Sequence, residues 1–247
     1  MKFFLKKRLQ KLYNKIKYIN IYKFMYTSLQ EHPEEIYCEN FLVISPHPDD
    51  ETIGCGGLLT KFHTFGSVIS VTSGDYGIPN EDTTSTIKIR EKELDNALSF
   101  LDISSNIKLR VEDGSLKKIS GYLDNINFDN IKLIFIPSVF EHHPDHKAIA
   151  WEVIRLISKG KLSKKVRILM YEVWTPLPSF NKFIDITKEI EMKLEALQLF
   201  DSQVSLVPYH KKVKLLNEFR GLEVGCESAE VYLEISYSEL KGILNAK

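Results

Sequence analysis

The apolar run Phe41-Leu-Val-Ile-Ser45 ends at Pro46 and opens at once into an imidazole and three carboxylates, His47-Pro-Asp-Asp-Glu51. A short, continuous run rich in Val and Ile reads as a strand buried on both faces, the pattern of a parallel sheet covered by helices. Pro46 and Pro48 cannot extend a ladder, so they stop the strand and stiffen the backbone that presents the acids. Ligands bind beyond the carboxyl ends of strands in open α/β sheets, which puts His47, Asp49, Asp50 and Glu51 at a catalytic edge. His47 and Asp50 offer one nitrogen and one oxygen donor, a mixed set that suits zinc in an open catalytic site. Asp49 is then left over as a general base for a metal-assisted hydrolysis. The competing reading is an acidic turn that caps the following helix.

A second cluster favours chemistry over capping. Ile131-Lys-Leu-Ile-Phe-Ile-Pro137 is another buried-strand pattern, and it leads into Glu141-His-His-Pro-Asp-His146, which holds three of the chain's seven histidines. Residues 144–158 carry apolar positions at helical spacing, so His143 and His146 fall at a helix entry. Their three-residue separation puts both side chains on one side of a first turn, one toward a metal and the other toward a substrate. Asp145 between them is placed to orient a histidine by hydrogen bonding.

Pro46-His-Pro-Asp-Asp-Glu51 and His143-Pro-Asp-His146 resemble the paired signatures of the PIG-L/LmbE family of zinc-dependent N-deacetylases. Weaker stretches resemble that family in the same order: Gly54-Cys-Gly-Gly57, Thr72-Ser-Gly-Asp75, Arg90 with Glu93, Ala97 and Leu101, then Ser202-Gln203, Arg220-Gly221 and Ala229-Glu230. The resemblance runs from about residue 40 to about residue 236. It implies a Rossmann-like three-layer α/β fold with a mostly parallel central sheet. It also implies Zn2+ as cofactor with His47, Asp50 and His146 as ligands, Asp49 as general base, and His143 as the acid or oxyanion-stabilising group. The implied substrate is an N-acetylated amino sugar, a GlcNAc-type glycoconjugate or glycolipid precursor, and Arg90 becomes a contact near the site.

With 247 residues, the chain has room for one sizeable α/β domain, expected over 31–247, and its 33 basic and 33 acidic residues carry no nucleic-acid signature. Cys38, Cys55 and Cys226 are odd in number and far apart, which argues against a disulfide framework and for a reducing, cytoplasmic setting. Cys55 lies between glycines, where close packing explains a small residue better than thiol reactivity does. Residues 1–30 hold eight Lys or Arg and no acid, with Leu5, Leu9, Leu12, Tyr13, Ile16 and Ile19 at helical spacing. This is a basic amphipathic N-terminal helix, too charged to span a bilayer, that either lies on an anionic membrane surface or packs on the domain.

Further along, residues 52–65 read as a helix stopped by Gly66, and the glycine spacing there is not that of a dinucleotide loop. Residues 67–72 read as a strand whose following loop carries Asp75 and Tyr76 as substrate contacts, with a turn role for Asp75 as the alternative. Arg90 and Glu93 lie one turn apart on a helix over 86–102, where a surface ion pair is the plainer explanation. Residues 107–111 read as a strand, 115–127 as an amphipathic helix, and 166–174 as a strand with Glu172 and Trp174 near the pocket. An edge strand over 183–186, helices over 187–200 and 211–219, and a last strand over 230–235 complete the pattern. Two other activities fit the same residues: an amidase acting on a larger amide conjugate, and a non-catalytic, membrane-associated zinc- or sugar-binding protein. Only three metal ligands are evident, which is the pattern of a catalytic rather than a structural zinc site.

Overall fold

The structure, a computed structural model, describes residues 32–245, so the helix expected over 1–30 lies outside the described residues. In chain order the elements are β1 (Glu34–Glu35), β2 (Phe41–Ser45), α1 (Asp50–Lys61), β3 (Gly66–Thr72), α2 (Thr83–Phe100), β4 (Asn106–Val111), β5 (Leu133–Pro137) and α3 (Pro144–Ser158). There follow β6 (Arg167–Tyr171), β7 (Lys182–Asp185), α4 (Ile190–Gln198), α5 (Asp201–Val204), α6 (Tyr209–Val224), β8 (Ala229–Ile235) and α7 (Tyr237–Asn245).

Every residue of β2 and of β5 is buried, as expected of strands covered on both faces. Because side chains alternate, Phe41 and Val43 enter one apolar cluster with Leu58, Leu94 and Leu197, whereas Leu42 and Ile44 enter another with Ile149, Val153 and Ile157. The sheet is therefore the middle of three layers. Helices α1, α2 and α4 lie on one face, and α3 and α7 on the other. Gly54 lets α1 approach closely: a Cβ there would sit 2.2 Å from the Tyr171 ring.

The sheet order is β1-β7-β8-β6-β5-β2-β3-β4. Its pairings are parallel except that β8 runs antiparallel to β6 and β7. From β2 the chain steps outward to β3 and β4, then returns to the other side of β2 as β5. The β2/β5 boundary is thus a topological switch point, where crossovers diverge and leave a crevice at the strand ends. Residues 46–51 and 138–146 both emerge there.

Two expectations fail locally, and one helix goes unforeseen. Residues 115–127 form turns rather than a helix, with Gly114 and Gly121 at positive φ and Leu116 and Leu123 buried. The backbone there is held instead by buried Glu152, whose Oε1 accepts from the N–H of Gly121 at 2.9 Å. β7 is not the sheet edge, because two-residue β1 pairs outside it. Helix α7 was not anticipated, although Ser236 and Glu239 form a capping box at its start.

Candidate active site

The turn after β2 is built from buried polar groups. Ser45 Oγ donates to Glu51 Oε2 at 2.9 Å, and the same carboxylate accepts from the Asp49 N–H at 3.2 Å and from Thr52 Oγ at 2.8 Å. Thr72, at the end of β3, donates its N–H and its hydroxyl to the Pro46 carbonyl at 2.9 and 2.8 Å. Asp49 occupies the N-cap position of α1, but its side chain makes no capping bond. Its φ of 116° lies in a region that costs a non-glycine residue of order 1–3 kcal/mol and persists only where surroundings enforce it. The acid is turned away from the helix that a simple cap would serve.

Four donors meet in front of this turn. Asp50 Oδ2 lies 3.1 Å from His47 Nδ1 and 3.3 Å from His146 Nε2, so one buried carboxylate oxygen touches both imidazoles. His143 joins them, since the donor atoms of His47, His143 and His146 all lie within 4.8 Å of one another. His143 is also the N-cap of α3: its Nδ1 accepts from the Asp145 N–H at 3.3 Å, which leaves the ring proton on Nε2. The second nitrogen of His47 is occupied as well. Its Nε2 lies 3.0 Å from Asp113 Oδ1 and 3.7 Å from Asp145 Oδ2.

The donor set fits a cation. Asp49, Asp50, Glu51 and Asp145 are each at most 5 % exposed, an excess of buried acid that isolated carboxylates do not tolerate without counter-charge. Ligands around a tetrahedral zinc at about 2.0–2.1 Å lie roughly 3.3 Å apart, close to the separations from Asp50 to the two imidazoles. His47 shows the further arrangement common to metal-ligating histidines, one nitrogen toward the donors and the other toward a carboxylate.

The remaining candidates have specific partners. Arg90 is buried, and its Nη2 donates to the Pro48 carbonyl and lies 3.3 Å from Asp49 Oδ2. It braces the turn and the acid rather than forming a surface pair with Glu93. Glu93 instead accepts from the N–H and hydroxyl of Ser202, both at 2.7 Å. Asp75 Oδ2 accepts from the Asp113 N–H at 3.2 Å, so it reaches the site by holding Asp113. Asp145 Oδ2 accepts from the Gly114 N–H at 2.7 Å and ties the loop after β4 to α3. Asp113 is the residue sequence reasoning missed. It stands two positions beyond β4, at the same strand-end edge that singled out the other acids.

The family model described as PIG-L: GlcNAc-PI de-N-acetylase matches residues 42–157, a span that includes β2, β5 and both turns that supply the donors. Residues 42–157, just under half of the chain, thus resemble the PIG-L family. The chain is 28 % identical over 200 residues to the probable N-acetyl-alpha-D-glucosaminyl L-malate deacetylase 2 of Bacillus subtilis, covering 72 % of this chain and 90 % of that protein. The fold is shared with the N,N'-diacetylchitobiose deacetylase of Pyrococcus horikoshii, at a TM-score of 0.67 and 22 % identity over 80 % of this chain and 84 % of the other. It is also shared with the 4-carboxy-2-hydroxymuconate hydratase of Pseudomonas putida KT2440, at a TM-score of 0.61 and 19 % identity over 80 % of this chain and 96 % of the other. The same fold thus accompanies different reactions, and the chemistry has to be read from the site.

Charge is distributed unevenly around the donors. Burial pushes the Asp49 carboxyl up to about 8; Arg90 opposes the rise, while Asp50 and Glu51 add to it. Burial acts the same way on Asp50, but His146 and His47 override it and hold its carboxyl well below the usual range. Burial would lower the pKa of His47, yet hydrogen bonds to Asp113, Asp145 and Asp50 raise it well above the ordinary value. His143 is lowered by burial and by the charges of His47 and His146. On the rim, Trp174 is half-exposed and meets Tyr209 edge to face at 4.8 Å. Glu172 does not reach the donors, because its Oε1 accepts from the Leu177 N–H at 2.6 Å and pairs with buried Arg220.

Proposed function

We propose that the chain is a zinc-dependent hydrolase that removes the N-acetyl group of a GlcNAc-type amino sugar. The observation that carries this reading is the single Asp50 oxygen in contact with both His47 and His146, with Asp49 held beside it by Arg90. The names of the similar proteins, deacetylases of N-acetylated glucosaminyl compounds among them, support the substrate class. In this reading His47, Asp50 and His146 hold the metal, and Asp113 and Asp145 orient His47. A zinc ion held there supplies Lewis-acid polarisation of the amide carbonyl and acidifies water from a pKa of about 15.7 to about 7.

The chain's own groups then divide the proton work. Asp49 takes a proton from the water that attacks the acetyl carbonyl carbon, and Arg90 keeps its carboxylate in place. His143, with its proton on Nε2, donates to the oxyanion or to the amine nitrogen as the C–N bond breaks. The half-exposed Trp174 ring offers an apolar face to a sugar. The test is acetate release by zinc-loaded protein from free, nucleotide-linked, inositol-linked and lipid-linked N-acetylated sugars. Release from at least one, abolished by chelation and restored by zinc, is expected; no release from any would overturn the reading.

We also propose peripheral contact between residues 1–30 and the anionic inner face of a membrane, because each Lys or Arg near such a surface contributes about 1 kcal/mol. Among the described residues no helix is long and apolar enough to cross a membrane. Co-sedimentation with anionic vesicles at low salt is expected for the full chain and not for a chain beginning at His32.

A further inference from the structure

The loop after β6 carries Trp174, and over 173–177 its backbone donors go to two buried acids. The N–H groups of Val173, Trp174 and Thr175 lie 3.1, 3.0 and 3.0 Å from one oxygen, Oε1 of Glu141. Pro176 has no N–H, and that of Leu177 goes to Glu172. Successive backbone N–H groups make a concavity that binds anions, and here a side chain of the same molecule fills it.

Glu141 stands two residues before His143, on the segment between β5 and α3. That segment is pinned in its turn. The Ser138 N–H donates to the Tyr171 carbonyl at 2.9 Å, and the Glu141 N–H donates to the Ser138 carbonyl at 3.1 Å. One carboxylate therefore spans the gap between the stretch that presents His143 and the stretch that presents Trp174.

Satisfying the backbone does not by itself call for this arrangement. Trp174 is 47 % exposed and Thr175 is half-buried, so water could serve their N–H groups. Glu141 is instead fully buried, and its Oε2 has no hydrogen-bond partner among the described residues. Burial of a carboxylate is unfavourable and is offset here by three charge-assisted bonds, all of which fix the loop. An acid so placed decides where the loop lies. Tyr209, the first residue of α6, meets the Trp174 ring edge to face at 4.8 Å and confines it further.

We infer that Glu141 is a positioning residue: by holding the backbone of 173–175 it sets the Trp174 ring at a fixed place relative to His143, so that a sugar stacked on the ring presents its N-acetyl group to the histidine. The inference rests on the deacetylase reading above. The role is one of reach more than of charge, because the acceptor has to span from one loop to the other.

Two substitutions separate reach from charge. Glu141→Gln keeps the reach and removes the charge, whereas Glu141→Asp keeps the charge and shortens the side chain by one carbon–carbon bond. The full-length, zinc-loaded chain is assayed on the methyl glycoside of N-acetylglucosamine. Glu141→Asp should raise KM roughly 2- to 10-fold, the scale of one aromatic contact, with a smaller change in kcat. Glu141→Gln should stay nearer the native KM. In a Trp174→Ala background Glu141→Asp should add little, because the ring through which it acts is gone. An unchanged KM in Glu141→Asp, the reverse order of the two variants, or a full effect of Glu141→Asp without Trp174 would overturn the inference and leave the deacetylase reading standing. A second measurement needs no turnover. In a Trp151→Phe chain, which keeps Trp174 as its one tryptophan, the fast component of the emission anisotropy should grow with Glu141→Asp and not with Glu141→Gln. If no N-acetylated sugar releases acetate, the deacetylase reading fails instead, and the anisotropy alone decides whether Glu141 holds the Trp174 loop; equal values in the three chains would refute it.

Discussion

Asp49 sits where a helix cap belongs and does not cap, and its neighbours explain why that geometry survives. Arg90 holds the carboxylate and Glu51 holds the backbone N–H, so the turn keeps φ at 116° with the acid on Arg90 rather than on the helix N–H groups. Asp49→Asn keeps the size and removes the proposed base. It should retain stoichiometric zinc by metal analysis while kcat falls about 100- to 10,000-fold; near-normal turnover in a zinc-loaded variant would reassign the base. Asp113 makes a different prediction, because its contact is with His47 Nε2 at 3.0 Å rather than with the reacting groups. Asp113→Ala should weaken zinc binding about 10- to 100-fold in a chelator competition, the usual cost of removing a carboxylate that orients a ligating histidine. His47, Asp49, Asp50, His143 and His146 were legible in the sequence because each follows a buried strand in a dense polar cluster. Asp113 was not, because a single acid in a turn has no local pattern, and its role comes from a histidine 66 positions away.

At the scale of elements, the weaker sequence motifs prove to be joints. Glu93 binds the N–H and hydroxyl of Ser202, Gln203 donates to the Gly77 carbonyl at 3.1 Å, and Arg220 pairs with Glu172 and donates to the Leu177 carbonyl at 3.0 Å. The first joins α2 to α5, and the other two tie a helix to a loop at the strand ends. Strand β8 is clamped to β6 in the same manner. Arg167 Nε and Nη2 donate to the two oxygens of Glu234 at 2.7 and 2.8 Å. That fork, with Lys182 adding to it against the effect of burial, lowers the Glu234 pKa below its ordinary 4.5. A carboxyl with a depressed folded-state pKa contributes stability that is complete above the unfolded value and is lost as pH falls through the folded one. Glu234→Gln should therefore be less stable than the native chain at pH 7. In urea titrations the difference should shrink as pH falls below 4.5 and vanish below the lowered folded-state value; a difference independent of pH would show that the pair acts by packing alone.

The whole molecule is held by a buried polar junction that no single element contains. Lys193 on α4 is fully buried, and its Nζ donates to Asn217 on α6 at 2.9 Å and to Glu230 on β8 at 2.7 Å. Glu230 also accepts the N–H groups of Gly57 and Leu58 on α1 at 2.7 and 2.8 Å, and the Tyr232 hydroxyl at 2.7 Å. Removing one partner of such a buried pair leaves the other charge uncompensated, so Lys193→Met should lose about 3–5 kcal/mol by denaturant unfolding. Removal of exposed Lys132, the partner of Glu39, should cost less than about 1 kcal/mol. Sequence by itself determined the α/β class, the buried strands β2 and β5, the helix α3 to its first residue, and the donor-bearing turns. These depend on side-chain period and on proline and glycine, which act within a few residues. Tertiary structure decided the order of the strands, the reversal of β8, the turns over 115–127 and the approach of Asp113 to His47. It also decided that Lys193 is buried rather than solvated, because each of these is settled by which distant surfaces and charges satisfy one another once the layers close.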